Sequence, residues 1–320
     1  MGRPHLLMPG RMMAHVIEQL EEEFTVHRLW EADDREALLE KVAPDIMAIA
    51  TGAHAPVDGA MMSRFPSLRI ISSFGVGYDT VDAAWAGEHG IYVTNTPDVL
   101  TEEVADTAMA LLLMAARELG AAERHLRAGK WTERAYPLTT TTLRGRKLGI
   151  FGLGRIGKAI ARRAEGFGLP IAYHNRSRAT DVSYEYHDSL TGLAEAVDTL
   201  VAVVPGGDST HHAVNAEVLK ALGPDGIVVN IGRGTVIDEH ALIEALENGT
   251  IRSAGLDVFE EEPKVPQALI NMDRLALLPH VGSASEHTRK AMGQLVVDNL
   301  RNWKRTGIPI TPVAETPIRG

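Results

Sequence analysis

The stretch of sequence that decides the fold is Lys147-Leu148-Gly149-Ile150-Phe151-Gly152-Leu153-Gly154-Arg155-Ile156-Gly157. Its first half has the apolar pattern of a buried strand, and residues 158–167 continue in the pattern of a helix. In a G-x-G-x-x-G turn, the first glycine permits a tight turn, the second lets the backbone approach a pyrophosphate, and the third lets helix and strand pack closely. The alternative is a glycine-rich turn that binds no ligand. In this strand–turn–helix setting we expect a dinucleotide to bind at residues 152–157.

The segment after the next predicted strand indicates which dinucleotide is bound. About 20 residues beyond the glycines, an enzyme that uses NAD carries an acidic residue for the ribose 2′-hydroxyl. This chain has His174-Asn175-Arg176-Ser177-Arg178 there, without an acid. The guanidinium of Arg176 can pair with a 2′-phosphate, and Asn175 and Ser177 are short donors beside it. The sequence therefore favours NADP(H), with NAD(H) as the alternative if this segment is only a solvated basic loop.

Strand and helix patterns alternate on both sides of the glycine loop. Before it, we predict strands at Leu6–Met8, Phe24–Leu29, Ile46–Ala50 and Arg69–Phe74, and helices at Met12–Glu23 and Arg35–Val42. From the loop onward, we predict six strands, at Lys147–Phe151, Pro170–Tyr173, Thr199–Val204, Gly226–Ile231, Arg252–Val258 and Leu275–Leu278. Such alternation is typical of parallel sheets covered by helices. The predicted fold class is α/β, with two doubly wound parallel-sheet domains, one flavodoxin-like and one Rossmann.

Two helical patterns set the expected domain boundaries. A chain of 320 residues exceeds the size at which one core usually stops growing, so two domains are expected. Residues 101–103 can begin a long helix that runs to about Arg127 and connects the domains. A last helix, Glu286–Lys304, returns the chain to the first half, and the tail after Thr306 is expected to be irregular. We predict a flavodoxin-like substrate domain at 1–98 plus 287–320, and a Rossmann NAD(P)-binding domain at 99–286.

Composition excludes several classes of protein. Hydrophobic residues make up 45% and charged residues 23%, as in an ordinary globular protein. The formal net charge of -10 disfavours a nucleic-acid surface. The chain has no cysteine, which excludes disulfides and thiolate metal sites and is compatible with a reducing compartment. The longest apolar run, 108–116, is shorter than the roughly 18 residues of a membrane span. With no export signal evident, we expect a cytoplasmic protein with neither a nucleic-acid nor a membrane partner.

Polar groups follow three predicted strands of the second sheet, in Asn230-Ile231-Gly232-Arg233-Gly234, Gly255–Pro263 and Leu277–Ser283. Reduction of a 2-oxo acid needs a cation for the carboxylate and carbonyl, a proton donor for the developing alkoxide, and a hydride source held against the carbonyl carbon. Arg233 and His280 can supply the first two. A carboxylate beside an imidazole favours the charged form of the ring. Glu260 and Glu261 compete with Glu262 for this role, and we choose Glu262, to which Pro263 is adjacent.

With these motifs in this order, the sequence resembles the D-isomer-specific 2-hydroxyacid dehydrogenase family over nearly the whole chain. The matching motifs are residues 75–79, the glycine loop, and residues 230–238, 255–263 and 279–285. The resemblance implies that Arg233 binds and polarises the substrate, that Glu262 pairs with His280, and that His280 is the general acid/base. The loop of NADP type and the Glu–His pair are most similar to the glyoxylate, hydroxypyruvate and hydroxyphenylpyruvate reductase branch, which implies a small 2-oxo acid or 2-hydroxy acid as substrate.

The resemblance also implies further contacts. Backbone N–H groups of Val76 and Gly77 would hold the substrate carboxylate, which fits a glycine turn that forms an anion-binding nest, and the active site would lie between the domains. Asp257 would meet the nicotinamide carboxamide. The remaining residues expected to line the cofactor, beyond the glycine loop and residues 175–177, are Thr107, Pro205, Thr210, Ile231, Gly232, Arg233, His280, Gly282 and Ser283. Relatives usually form a homodimer through the cofactor domain, so a homodimer is expected here.

Two other features of the sequence allow different interpretations. His211 and His212 could suggest a metal site, but neighbouring residues seldom point to one ion and no cysteine or carboxylate set accompanies them, so no metal is expected. A cofactor-sensing binding protein of the corepressor type shares this fold and similar catalytic residues. Tight cofactor binding without turnover of any 2-oxo acid would favour that alternative.

Overall fold

The structure, a computed structural model, describes residues 2–52 and 55–318. The strands in these residues are β1 His5–Met8, β2 Thr25–Arg28, β3 Ile46–Gly52, β4 Ile70–Phe74, β5 Tyr92–Thr94, β6 Leu148–Phe151, β7 Ile171–His174, β8 Glu185–His187, β9 Thr199–Ala202, β10 Ile227–Asn230, β11 Ser253–Leu256 and β12 Ala276–Leu277. The α-helices are α1 Ala14–Glu21, α2 Arg35–Val42, α3 Gly59–Met62, α4 Ala83–Glu88, α5 Thr101–Arg117, α6 Leu119–Arg127, α7 Arg155–Gly166, α8 Leu190–Ala196, α9 Ala216–Leu222, α10 Glu239–Glu247, α11 Gln267–Ile270 and α12 Glu286–Thr306. Across the described part of the chain, none of the helices combines the length and the apolar character that a membrane span requires.

The chain divides into two compact units. Unit 1 comprises Met1–Leu100 and Ser285–Gly320, and unit 2 comprises Thr101–Ala284. Of the residues assigned to the first predicted domain, 1, 53, 54, 319 and 320 lie outside the described residues.

Unit 1 is built on a five-stranded parallel sheet with the order β2-β1-β3-β4-β5. Successive side chains of a strand point to opposite faces, and β1 shows this clearly. Leu6 and Met8 lie in a buried cluster with Val296 and Trp303 of α12, whereas Leu7 lies in a second cluster that includes Leu39 of α2. Both faces of the sheet are therefore covered. The flavodoxin-like order and the packing of the last helix on the first half of the chain are confirmed.

Unit 2 is built on a seven-stranded parallel sheet with the order β12-β11-β10-β9-β6-β7-β8. Every side chain of β6, β9, β10 and β11 is buried, as expected for a parallel sheet with helices on both faces. The chain runs outward from β6 through β7 to β8, then returns to form β9 on the other side of β6. Ligands of such sheets bind at the carboxyl ends of the strands beside this reversal. The glycine loop follows β6 at that place.

Three predictions about individual elements were wrong. The strands β5 and β8, each of three residues at the edge of its sheet, were not predicted. The second sheet therefore has seven strands rather than six. The long helix predicted to run from Thr101 to about Arg127 is two helices, because Glu118 adopts a left-handed conformation with φ of 51° between α5 and α6.

Candidate active site

The three glycines between β6 and α7 have three different environments. Gly152 has φ of 104°, in the left-handed region where side chains are strained. A Cβ atom on Gly157 would lie 2.2 Å from the carbonyl oxygen of Gly152, so only glycine lets α7 pack this closely on the loop. A Cβ atom on Gly154 would meet nothing within 4 Å, so space remains open beside the backbone at the start of α7. These environments fit the tight turn, the close packing and the approach of a pyrophosphate.

The first turn of α7 offers free hydrogen-bond donors to an anion. Within the described residues, the N–H groups of Ile156 and Gly157 donate no hydrogen bond. Unpaired amides at a helix N-terminus, together with the helix dipole, form an anion-binding site. The N–H of Leu153, also expected to meet the cofactor, instead donates to Oδ1 of Asn175 at 2.7 Å. Asn175 therefore holds the glycine loop in place through its side-chain oxygen.

The loop after β7 exposes a cation beside the glycine loop. Arg176 and Ser177 are both exposed, and no acidic residue in the described ranges pairs with Arg176. Lys158 of α7, in contrast, is neutralised by Asp181 at 2.5 Å. Arg176 is thus left with its full hydrogen-bonding capacity at the carboxyl end of β7, where a ribose 2′-group would lie.

Arg233 follows β10 in a turn that the side chain of Asn230 fixes. The amide nitrogen of Asn230 donates to the carbonyl oxygen of Arg233 at 2.8 Å, and its Oδ1 accepts from the N–H of Gly232 at 3.1 Å. The next residue, Gly234, lies directly against the chain after β11, because a Cβ atom there would lie 1.9 Å from the carbonyl atoms of Phe259. This contact keeps the Arg233 turn beside residues 259–262. The guanidinium of Arg233 is half-buried and donates to the carbonyl oxygen of Gly232 at 3.0 Å.

His280 and Glu262 form a hydrogen-bonded pair. Nδ1 of His280 lies 2.7 Å from Oε2 of Glu262, and Oε1 of Glu262 accepts from the N–H of Phe259 at 3.1 Å. Burial raises the pKa of Glu262, but the hydrogen bonds from His280 and Phe259 and the charges of His280 and Arg233 outweigh it, so the pKa lies below its ordinary value. Within the described residues, Nε2 of His280 has no partner. It is the ring nitrogen left for a substrate.

The buried carboxylate of Asp257 positions the His280 loop. The two carboxylate oxygens accept from the N–H groups of Val281 and Gly282, each at 2.7 Å. The N–H of His280 donates to the backbone carbonyl oxygen of Asp257 at 2.8 Å. His280 has φ of 53°, a conformation that costs free energy for a residue with a side chain. Burial raises the pKa of Asp257, and the hydrogen bonds from Val281 and Gly282 only partly offset that rise.

The other residues predicted to line the cofactor follow strands whose carboxyl ends share one edge of the sheet, except Thr107, which lies in α5. Thr210 closes the loop after β9 by donating to the carbonyl oxygen of Pro205 at 2.7 Å. Thr107 of α5 donates to the carbonyl oxygen of Gly282 at 3.4 Å. This edge carries the glycine loop, Pro205, Thr210, Ile231, Gly232, Arg233, Asp257, His280, Gly282 and Ser283.

Val76 and Gly77 belong to unit 1, in the turn after β4. Gly75 begins this turn with φ of 143°, and its N–H donates to Oγ1 of Thr96 at 3.0 Å. The side chain of Asn95 donates to the carbonyl oxygen of Val76 at 2.8 Å. In the ranges that the structure describes, the N–H groups of Val76 and Gly77 donate no hydrogen bond. Adjacent free amides in a glycine turn are suited to an anion.

Sequence reasoning missed two contacts that distinguish the three consecutive glutamates. The side chain of Glu260 pairs with His212, at 2.6 Å between Oε1 and Nε2. The backbone N–H of Glu260 donates to the buried carboxyl of Glu239 at 2.9 Å. The pKa of Glu239 is raised by burial and by the charges of Glu260, Glu261 and Glu262. Glu260 therefore has a histidine of its own, and the structure brings Glu262 to His280. Only the adjacent proline and the family resemblance favoured Glu262 in the sequence.

Comparisons with known proteins agree with this geometry. Residues 109–282 match the NAD binding domain of D-isomer specific 2-hydroxyacid dehydrogenases. A glyoxylate/hydroxypyruvate reductase of Arabidopsis thaliana is 44% identical, over 96% of this chain and 98% of its own length. A glyoxylate reductase of Thermococcus onnurineus is 42% identical, over 97% of this chain and 96% of its own length.

A solved structure extends the match to the whole fold. The NADPH-dependent glyoxylate/hydroxypyruvate reductase of Sinorhizobium meliloti, in complex with NADP and malonate, superposes with a TM-score of 0.93 at 52% identity, covering 100% of this chain and 99% of that one. The chain therefore belongs to the D-isomer specific 2-hydroxyacid dehydrogenase family. Unit 2 contains its NAD(P)-binding domain.

The contrast between two glycines tests the cofactor loop. Gly157→Ala should destabilise the protein by about 1–3 kcal/mol, because its Cβ would overlap the Gly152 carbonyl. Gly154→Ala should change stability by no more than about 1 kcal/mol but weaken NADPH binding at least about tenfold, because its Cβ occupies the space for the pyrophosphate. Thermal unfolding and fluorescence titration with NADPH measure the two effects. Undiminished NADPH affinity of the Gly154 variant would contradict this placement.

Proposed function

We propose that this chain is an NADPH-preferring reductase that converts small 2-oxo acids, of the glyoxylate and hydroxypyruvate type, into 2-hydroxy acids. The observation that carries the proposal is the pair of His280 and Glu262, 2.7 Å apart at the sheet edge that also holds Arg233 and the glycine loop. Relatives that match nearly the whole chain are named for glyoxylate and hydroxypyruvate reduction. The reductase of Sinorhizobium meliloti has been solved with malonate and with citrate, both small acids.

His280 is the proposed general acid/base. Its Nδ1–H donates to Glu262, which fixes the ring and directs Nε2 away from the carboxylate. Since the pKa of Glu262 is lowered, this carboxylate stays charged near neutral pH and remains an acceptor for the imidazole N–H. In the reductive direction Nε2 gives its proton to the substrate oxygen as the carbonyl becomes an alkoxide. In the reverse direction it takes that proton back.

Arg233 and the turn of Val76 and Gly77 are the proposed substrate-binding groups. The guanidinium of Arg233 offers fixed positive charge to the carboxylate and carbonyl oxygens of a 2-oxo acid. The free N–H groups of Val76 and Gly77 would donate hydrogen bonds to a substrate carboxylate. Unit 1 would then be the substrate domain. The nicotinamide of a bound NADPH would supply the hydride.

Arg176 is the proposed determinant of cofactor preference. Its side chain is exposed and unpaired among the described residues, and no acid stands nearby in sequence to bind a ribose 2′-hydroxyl. A guanidinium can form two charge-assisted hydrogen bonds with a phosphate. The 2′-phosphate that distinguishes NADP(H) from NAD(H) matches this chemistry. The S. meliloti reductase is described as NADPH-dependent, which supports the same preference.

The acid/base role predicts the kinetics of a His280 variant. His280→Asn should lower kcat for glyoxylate and hydroxypyruvate by about 10²- to 10⁴-fold, because the alkoxide loses its proton donor. NADPH oxidation followed by absorbance measures the rate, and a fluorescence titration with NADPH serves as the control for an intact cofactor site. Unchanged turnover in the variant would defeat the assignment. Tight NADPH binding by the unaltered protein, without turnover of glyoxylate, hydroxypyruvate, pyruvate or phenylpyruvate, would favour a cofactor-sensing binding protein.

Cofactor preference predicts opposite responses to the two nicotinamide cofactors. Arg176→Ala should raise KM for NADPH at least about tenfold, since hydrogen bonds to a charged group contribute about 1.5–3 kcal/mol. KM for NADH should change little, because NADH has no 2′-phosphate. The two cofactors measured on the same variant control for any general damage to the loop. Equal weakening toward both would show that Arg176 does not bind the phosphate.

We also propose that the protein is a homodimer formed through unit 2, as the family resemblance implies. Residues 119–138 carry several large apolar side chains that are exposed in the isolated chain. Leu126 is 55% exposed, Trp131 67% and Leu138 96%, so Trp131 is not a core residue. Apolar side chains concentrated in one segment are typical of a surface that another subunit covers.

Sedimentation tests the dimer. The unaltered protein should sediment as two chains of 34.6 kDa. The double variant Trp131→Asp, Leu138→Asp should shift toward the monomer, because buried unpaired carboxylates disfavour association. Ile270→Asp is the matched control, since Ile270 is 51% exposed in unit 2 but lies outside this segment. An effect of the control equal to that of the double variant would exclude this surface.

A further inference from the structure

His211 and His212 direct their rings to the same side of the chain. The ring centroids lie 4.0 Å apart with an angle of 28° between the planes, so the imidazoles are stacked. His212 has φ of 49°, in the left-handed region that residues other than glycine seldom adopt. The two imidazoles therefore lie on the same side of the chain, although the residues are adjacent.

A carboxylate completes the group. Oε1 of Glu260 lies 2.6 Å from Nε2 of His212, and one ligand atom from each of His211, His212 and Glu260 lies within 4.8 Å of the others. Local sequence patterns could not predict this carboxylate, because Glu260 is 48 residues from His212 along the chain. His211 is exposed and the other two are half-buried, so one side of the group is open to solvent.

The backbone around the three side chains is held by hydrogen bonds. The N–H of His211 donates to the carbonyl oxygen of Gly207 at 3.0 Å, and the N–H of His212 donates to that of Thr235 at 2.8 Å. The N–H of Glu260 donates to Glu239 at 2.9 Å. All three positions are thus fixed before any ion arrives, which reduces the entropy lost on binding.

We propose that His211, His212 and Glu260 bind a divalent transition-metal ion of the zinc, nickel and copper class. Imidazole nitrogens with one carboxylate oxygen suit these ions better than magnesium or calcium, which prefer oxygen ligands. Metal–ligand bonds of about 2.0–2.2 Å require ligand atoms about 3.3 Å apart, which rotations of the side chains can provide. The ion takes the place of the hydrogen bond between His212 and Glu260, the proton of that bond is released to solvent, and a fourth position stays open to water. This site is separate from the pair of His280 and Glu262.

Metal binding to the full chain, without a histidine tag and after removal of metal by a chelator, tests the proposal. Equilibrium dialysis against Zn²⁺ with elemental analysis should find about one zinc ion per chain. His211→Asn and Glu260→Gln should each weaken this binding at least about tenfold. The Co²⁺-loaded protein should show the intense visible absorption of a low-coordinate nitrogen and oxygen site, and both variants should lose it. Thermal unfolding without metal checks that the variants are folded.

His240→Asn is the matched control. His240 and Glu244 form an exposed pair on α10, with 3.8 Å between Nδ1 and Oε1, and therefore represent surface binding by only two residues. This variant should retain the zinc and the cobalt spectrum of the unaltered protein. Absence of bound zinc, or equal binding by the unaltered protein and the His211 and Glu260 variants, would overturn the proposal. Either of these two results would leave the proposed reductase activity untouched, because that activity is tested separately with the His280 variant.

Discussion

The carboxylate of Asp257 is the group on which the geometry of the site depends. It lies at the end of β11 with 2% exposure, and both of its oxygens accept backbone N–H groups of the loop that carries His280. The same loop returns a hydrogen bond from the N–H of His280 to the backbone of Asp257. Three bonds between one residue and one loop hold His280 in a left-handed conformation that would otherwise be unfavourable. The position of the imidazole ring is therefore determined by the backbone next to it as well as by Glu262.

The acidic residues around this loop have different environments and, for that reason, different proton affinities. Burial raises the pKa of Asp257 and of Glu239. Glu262 is also partly buried, but His280 and Arg233 supply positive charge that lowers its pKa. Burial is the largest cause of the raised pKa values of Asp257 and Glu239, whereas the hydrogen bond from His280 is the largest cause that lowers the pKa of Glu262. The charge is thereby concentrated on the carboxyl that faces the proposed acid/base.

The turn after β11 distributes neighbouring glutamates between two histidines. Glu260 pairs with His212 and Glu262 pairs with His280, although only one residue separates the glutamates. The sequence contained both histidines and three candidate glutamates, and their partners could not be assigned by chemistry alone. The choice follows from the close approach of the Gly234 backbone to Phe259, which fixes how the turn lies beside β10. A contact of that kind depends on shape and leaves no periodic pattern in the sequence.

Local patterns predicted the long buried strands, the glycine turn and the two parallel sheets, because burial on both faces of a strand and the conformational needs of glycine are properties of short segments. They did not predict β5 and β8, whose pairing comes from their neighbours in the sheet, or the interruption at Glu118, where a residue with ordinary helix propensity adopts a positive φ. The sequence by itself also determined which side chains were available for chemistry: an arginine, a histidine and a set of glutamates after successive strands. Only the tertiary structure decided which glutamate meets which histidine, since contacts between residues 18 and 48 positions apart depend on the packing of whole strands and turns.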